Sequence, residues 1–150
     1  DDDTEITSET IAPLASWVEQ ATQVPIPALP ITTASGRRLK AVLSMTGVLN
    51  ARAAAAYLPG QIVISNIMWD PESLRSQSYL VHELVHHTQL IGRKQYSCAA
   101  AKEREAYMLQ NRWLEANGEE PLVTQEWIER ISSCSAFLSE DDAELARDQS

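Results

Sequence analysis

The stretch Asp70-Pro71-Glu72-Ser73-Leu74-Arg75-Ser76-Gln77-Ser78-Tyr79-Leu80-Val81-His82-Glu83-Leu84-Val85-His86-His87-Thr88-Gln89-Leu90-Ile91-Gly92 decides how this chain is read. A capping Asp70, a proline at the first helical position and an acid in the first turn predict a helix that runs to Ile91 and stops at Gly92. Inside it, His82-Glu83-Leu84-Val85-His86 spells H-E-x-x-H. Positions i and i+4 stack on one helix face, so both imidazoles can hold a single metal ion. Glu83 lies about 100° around the helix from His82, near enough to serve the ion's open position without ligating it. Neutral imidazoles suit zinc, which brings the pKa of a bound water to about 7 and leaves Glu83 to act as general base. Leu80, Val81, Leu84, Val85 and Ile91 flank the histidines with apolar surface.

Two imidazoles are too few, because a catalytic zinc keeps three protein ligands and a water. His87 points about 100° away from His86; a third histidine at the spacing H-E-x-x-H-x-x-G-x-x-H is excluded, because position 89 is Gln89 and no later histidine exists. The third ligand is therefore expected to be a carboxylate or, less readily, a cysteine. A following helix, expected over 98–117, offers Glu103 and Glu105. Ala99, Glu103, Ala106, Gln110 and Trp113 share its apolar stripe, while Arg104, Met108 and Asn111 face away. A glutamate inside such a stripe needs a partner, which favours Glu103. Glu105, at the stripe's margin, stays the alternative, and a solvated Glu-Arg-Glu face is the plainer reading of both.

H-E-x-x-H followed by a glutamate on a later helix resembles the gluzincin-type zinc metallopeptidases, some of which place that glutamate three residues before an alanine, as Glu103 and Ala106 are placed. Tyr57–Ile64 is similar to the hairpin before the active-site helix of ImmA/IrrE-like proteins. His82–Gln89 with Glu103–Gln110 resembles small bacterial proteins carrying H-E-L-V-H-H-x-Q and E-x-E-A-Y-x-x-Q. The likeness spans residues 53–114. It implies a zincin-like domain with zinc on His82, His86 and Glu103, and peptide hydrolysis with Glu83 as base. Where many gluzincins carry an Asp that orients the first histidine, this chain has Tyr107. That residue is expected to give different support, to donate to a developing oxyanion, or to be an ordinary helix-flank aromatic. Gln89 and Gln110 are candidates to support the ligands. By analogy, strand 61–66 is expected to pair with an extended peptide substrate. The competing readings are a non-catalytic zinc-bound module that binds a partner and an effector protease with one protein target.

The remainder predicts an α+β fold, a small antiparallel sheet packed on about four helices in one domain. Ser8 caps a helix over 9–23, and Pro25, Pro27 and Pro30 enforce an extended passage. Residues 38–45 and 53–58 are candidate strands, the alanine run being open to helix. Gln61–Asn66 is the clearest strand, joined to 53–58 by a Pro59-Gly60 turn, and a last helix is expected over 122–138. With 44% apolar and 22% charged residues the chain is expected to fold, and no apolar run reaches the roughly 20 residues of a membrane span. The net charge of −9 collects in two acidic ends, expected to be flexible over 1–7 and 140–150, around a neutral middle. No basic surface invites nucleic acid, and five glycines form no phosphate-binding cluster. A helical hairpin about Gly118–Pro121 would set Cys98 within a turn of Cys134, as a disulfide or as two buried thiols. A chain opening on Asp1-Asp2-Asp3, without initiator Met or signal peptide, reads as a processed product, and an extracytoplasmic location is expected.

Overall fold

The computed structural model describes residues 4–45 and 54–134. In chain order these form β1 (Thr4–Glu5), α1 (Ser8–Thr22), β2 (Ile31–Ala34), α2 (Gly36–Met45), β3 (Ala55–Leu58), β4 (Gln61–Ser65), α3 (Leu74–Ile91), α4 (Ala101–Ala116) and α5 (Gln125–Ile131). The class is α+β, as expected, but the sheet is mixed instead of antiparallel. Its order is β1-β2-β4-β3, with β2 parallel to β4 and the other pairs antiparallel. β2 follows directly on the prolines that hide it in the sequence. β1 occupies part of the amino-terminal end expected to be flexible, pairing Thr4 with Thr33 and Glu5 with Thr32. Residues 140–150 lie outside the described residues.

Side-chain alternation along β4 explains the layering. Ile62 and Ile64 face a core shared with Leu14 and Val18 of α1 and Leu80 and Leu84 of α3. Val63 points the other way, to Leu39, Val42 and Leu43 of α2. A central strand covered on both faces needs such a continuous apolar run. Residues 38–45, expected as a strand, are thus helical, and the described helices number five, in keeping with the expected number of about four. Leu39, Val42 and Leu43 recur at helical spacing, and Ser35 caps the first turn through its side chain to the Arg38 amide at 3.2 Å.

The site-bearing helix α3 begins later than its first proline suggests. Ser73, not Asp70, is the cap, accepting from the Ser76 amide. Asp70 instead closes the preceding turn, its carboxylate accepting from the Glu72 amide at 2.9 Å. Two good caps three residues apart compete, and the Asp70 amide's bond to the Ser76 hydroxyl at 3.1 Å ties the helix start to the Asp70 turn. At the far end Gly92 is required by space: a Cβ there would sit 2.8 Å from the Thr88 carbonyl oxygen. α3 is buried almost all round, which suits a helix enclosed by α1, α4 and the sheet.

α4 and α5 are both shorter than expected, and residues 135–138 of the expected last helix lie outside the described residues. The two helices form an antiparallel hairpin. Arg104 pairs with Glu129, and the Asn111 side chain bonds the Leu122 amide and the Val123 carbonyl. At the hairpin's open end Cys98 and Cys134 form a disulfide, with Cα atoms 5.8 Å apart and a separation of 36 positions in sequence. Replacing both cysteines by alanine is expected to lower the unfolding free energy by about 3–4 kcal/mol through the freed loop. Guanidinium denaturation of the oxidised protein and the double variant measures this, and equal midpoints would show that the bridge does not restrain the chain.

Candidate metal centre

Where α3 packs on α4, three donors from the two helices converge. The Glu103 carboxylate Oε1 lies 3.1 Å from His82 Nε2 and 3.3 Å from His86 Nε2. All three donor atoms fall within 4.8 Å of one another, close enough for one ion. The rings of His82 and His86 meet edge to face, with centroids 4.9 Å apart, as a one-turn separation on α3 dictates. Ala106, fully buried one turn beyond Glu103, leaves room for α4 to approach. Of the two candidate acids, Glu103 reaches the imidazoles. Glu105 turns away and binds Lys94 at 2.9 Å, the Tyr96 hydroxyl at 3.1 Å and the Gln89 amide at 3.2 Å.

The two glutamines hold the imidazoles in register, and the network fixes which way each amide points. Gln89 donates its amide N–H to the Lys102 carbonyl at 2.9 Å, a group that can only accept. Its Oε1 therefore faces His86 Nδ1, 2.9 Å away, and that nitrogen must carry a hydrogen. Likewise Ser78 donates its hydroxyl to the Arg75 carbonyl and so accepts from the Gln110 amide at 3.0 Å. Gln110 Oε1 then accepts from His82 Nδ1 at 2.8 Å. Both rings are left with Nε2 as the nitrogen that can give up a proton and bind a metal, an orientation usually provided by a carboxylate or a carbonyl.

Burial alone would pull the His86 pKa down, but the adjacent Glu103 carboxylate outweighs it and raises the imidazole to about 9. Glu103 is driven the other way: burial favours its neutral form, yet His86 and the bonds from both imidazoles hold it well below the usual carboxylate range. Glu83 is 1% exposed, and one of its carboxylate oxygens is buried without a hydrogen-bond partner. Burial raises its pKa, against the two imidazoles and with the help of Glu103. A buried, unsatisfied carboxylate oxygen is costly, so the local arrangement calls for a further group beside it.

Tyr107 stands behind the site. It is fully buried, its ring meeting His82 at 4.5 Å and Trp127 at 5.0 Å, both edge to face. This is the place of a residue that steadies the His82 ring, away from the cleft. His87 also leaves the cluster, its Nδ1 2.7 Å from the Tyr57 hydroxyl. Glu83, His86 and Glu103 open into a cleft of about 600 Å³ whose other walls include Tyr57, Lys94 and Tyr96. Lys94 and Tyr96 escaped the sequence reading because the loop that carries them has no periodicity. Ser78, one turn before His82 on the same face, was open to detection by helical phase alone. β4 lies between β2 and β3, so the expected pairing of 61–66 with a peptide is blocked. The sheet edge beside the cleft is β3, which has one strand neighbour among the described residues and contributes Ala56 and Tyr57 to the wall.

The donor set fits zinc: two imidazole nitrogens and one carboxylate oxygen are the His2Glu combination of catalytic sites. Two outcomes follow for the chelator-treated protein. His86, raised from 6.5 to about 9, stabilises the fold fully below pH 6.5 and loses that contribution as pH climbs through 9. Glu103, lowered from 4.5, contributes above that pH and loses its effect in acid. Thermal melts should therefore show a decline from pH 6.5 to 9 that His86→Ala abolishes, while the gain on adding zinc grows across the same window because zinc competes with the proton. Gln110→Ala should weaken zinc binding about ten- to hundredfold, read by competition with a chelating dye. Undiminished affinity would remove Gln110 from the site's support.

Residues 3–137 match a family described as a domain of unknown function, DUF6647. No curated protein and no solved structure matches the chain.

Proposed function

The chain belongs to the DUF6647 family, and from its site we propose a zinc-dependent metallopeptidase. One observation carries this reading: the buried Glu83 carboxylate, with an unsatisfied oxygen, lines the same cleft as the converging donors of His86 and Glu103. His82, His86 and Glu103 would hold the ion. Zinc supplies Lewis-acid polarisation of the scissile carbonyl and activation of water near neutral pH. Glu83 takes a proton from the attacking water and returns it to the leaving amine nitrogen, a task its raised pKa favours. Tyr107 and the two glutamines keep the rings aligned while Glu83 works. An extended peptide would add along β3, whose outer edge has no strand neighbour among the described residues and runs beside the cleft. The non-catalytic alternative has less support, since a structural zinc is closed by four protein ligands and needs neither an open cleft nor a spare carboxylate.

Among the described residues no helix is long and apolar enough to cross a membrane. The Cys98–Cys134 bridge is compatible with an oxidising compartment, which supports an extracytoplasmic setting for the proposed enzyme.

Glu83→Gln keeps the shape of the site and removes the base. Zinc content should be unchanged while peptide hydrolysis falls by about a hundred- to ten-thousandfold. Turnover of a mixed peptide library, followed by mass spectrometry beside metal analysis, decides the matter. Equal hydrolysis by wild type and variant, or none by the zinc-loaded wild type, would sink the peptidase.

A further inference from the structure

The charged groups lining the cleft divide by sign and by place. Among the described residues its lining acids are Glu83 and Glu103, both engaged at the metal centre, and its remaining charged residues are the cations Arg93, Lys94 and Lys102. Lys94 is neutralised by Glu105 at 2.9 Å. Arg93 and Lys102 are exposed, and neither side chain has an ion-pair or hydrogen-bond partner among the described residues. Local structure gives little reason for either. Arg93 holds φ at 53°, the left-handed region that glycine and asparagine fill most easily. Lys102 stands in the first turn of α4, where the helix dipole disfavours a cation, and Ala100 supplies no side-chain cap to offset it. The Lys102 backbone is tied to the metal centre through Gln89, which also bonds His86. Two free cations thus line the cleft of a chain whose net charge is −9. Such a contrast draws anions to the cleft and away from the rest of the surface.

We infer that the cleft selects peptides bearing a carboxylate close to the bond to be cut, with Arg93 and Lys102 as its partners. The inference rests on the peptidase reading and adds the substrate class to it. An acidic side chain and a free chain terminus present the same chemistry, and the test separates them.

Zinc-loaded Glu83→Gln protein, which retains the three ligands, is titrated with N-acetylated peptides carrying an uncharged dye. The first is Ala-Ala-Ala-Glu-Ala-Ala-Ala amide, the second its Gln twin as amide, the third the Gln twin with a free carboxyl terminus. At low salt the Glu peptide should bind about tenfold more tightly than the Gln amide, as two exposed ion pairs allow. That margin should shrink in about 0.5 M NaCl. It should vanish on adding Arg93→Gln and Lys102→Gln, with the Gln amide's affinity unmoved. A gain confined to the third peptide would assign the carboxylate to the chain terminus. Equal binding of all three, binding of none, or a preference that survives the double substitution overturns the inference. Charge-selective binding without hydrolysis by the zinc-loaded wild type would instead defeat the peptidase and spare the selectivity.

Discussion

A carboxylate held between two packed helices must be compensated, and nearly everything about this molecule's centre follows from how Glu103 is compensated. Its partners are the Nε2 atoms of two imidazoles one turn apart on α3. Neither ring can turn freely, because Gln110 and Gln89 hold the opposite nitrogens at 2.8 and 2.9 Å. Each glutamine is in turn fixed by an acceptor for its amide hydrogens, the Lys102 carbonyl for Gln89 and, for Gln110, a Ser78 hydroxyl whose own hydrogen goes to the Arg75 carbonyl. The arrangement is directional from the outermost carbonyls inward, so the lone pairs that matter are set before any ion arrives. Glu83 shares the same buried space without sharing the network, and one of its carboxylate oxygens is left without a hydrogen-bond partner.

Much of this was legible because helical phase is a strong constraint. His82 and His86 at i and i+4, Gln89 one turn past His86, and Glu103 and Gln110 two turns apart on one stripe all follow from a period of 3.6. The same arithmetic separated Glu103 from Glu105. The hairpin of Ala55–Leu58 and Gln61–Ser65 was readable from its Pro59-Gly60 turn, where Gly60 takes the φ of 82° that a type II turn needs after its proline.

Other features escaped for identifiable reasons. Residues 38–45 read as strand if their alternation is weighed above the helical spacing of Leu39, Val42 and Leu43, and only α2's burial against Val63 decides. β2 is four residues behind three prolines, and its parallel pairing with β4 depends on a crossover that no local signal announces. The start of α3 was misplaced because Asp70 and Ser73 are both good caps, and tertiary hydrogen bonding at Ser76 chose between them. The wall from Arg93 to Ala99 has neither period nor motif, although it forms much of the cleft.

The sulfur bridge has a topological result apart from its energy. Cys98 and Cys134 enclose α4, the exposed Gly118–Pro121 bend and α5 in one covalent ring that carries Glu103, while the imidazoles of His82 and His86 lie outside it. A backbone break anywhere between the two half-cystines leaves a single molecule, with the donor from α4 still tethered beside α3. A cut at that bend would therefore open the chain without releasing either half.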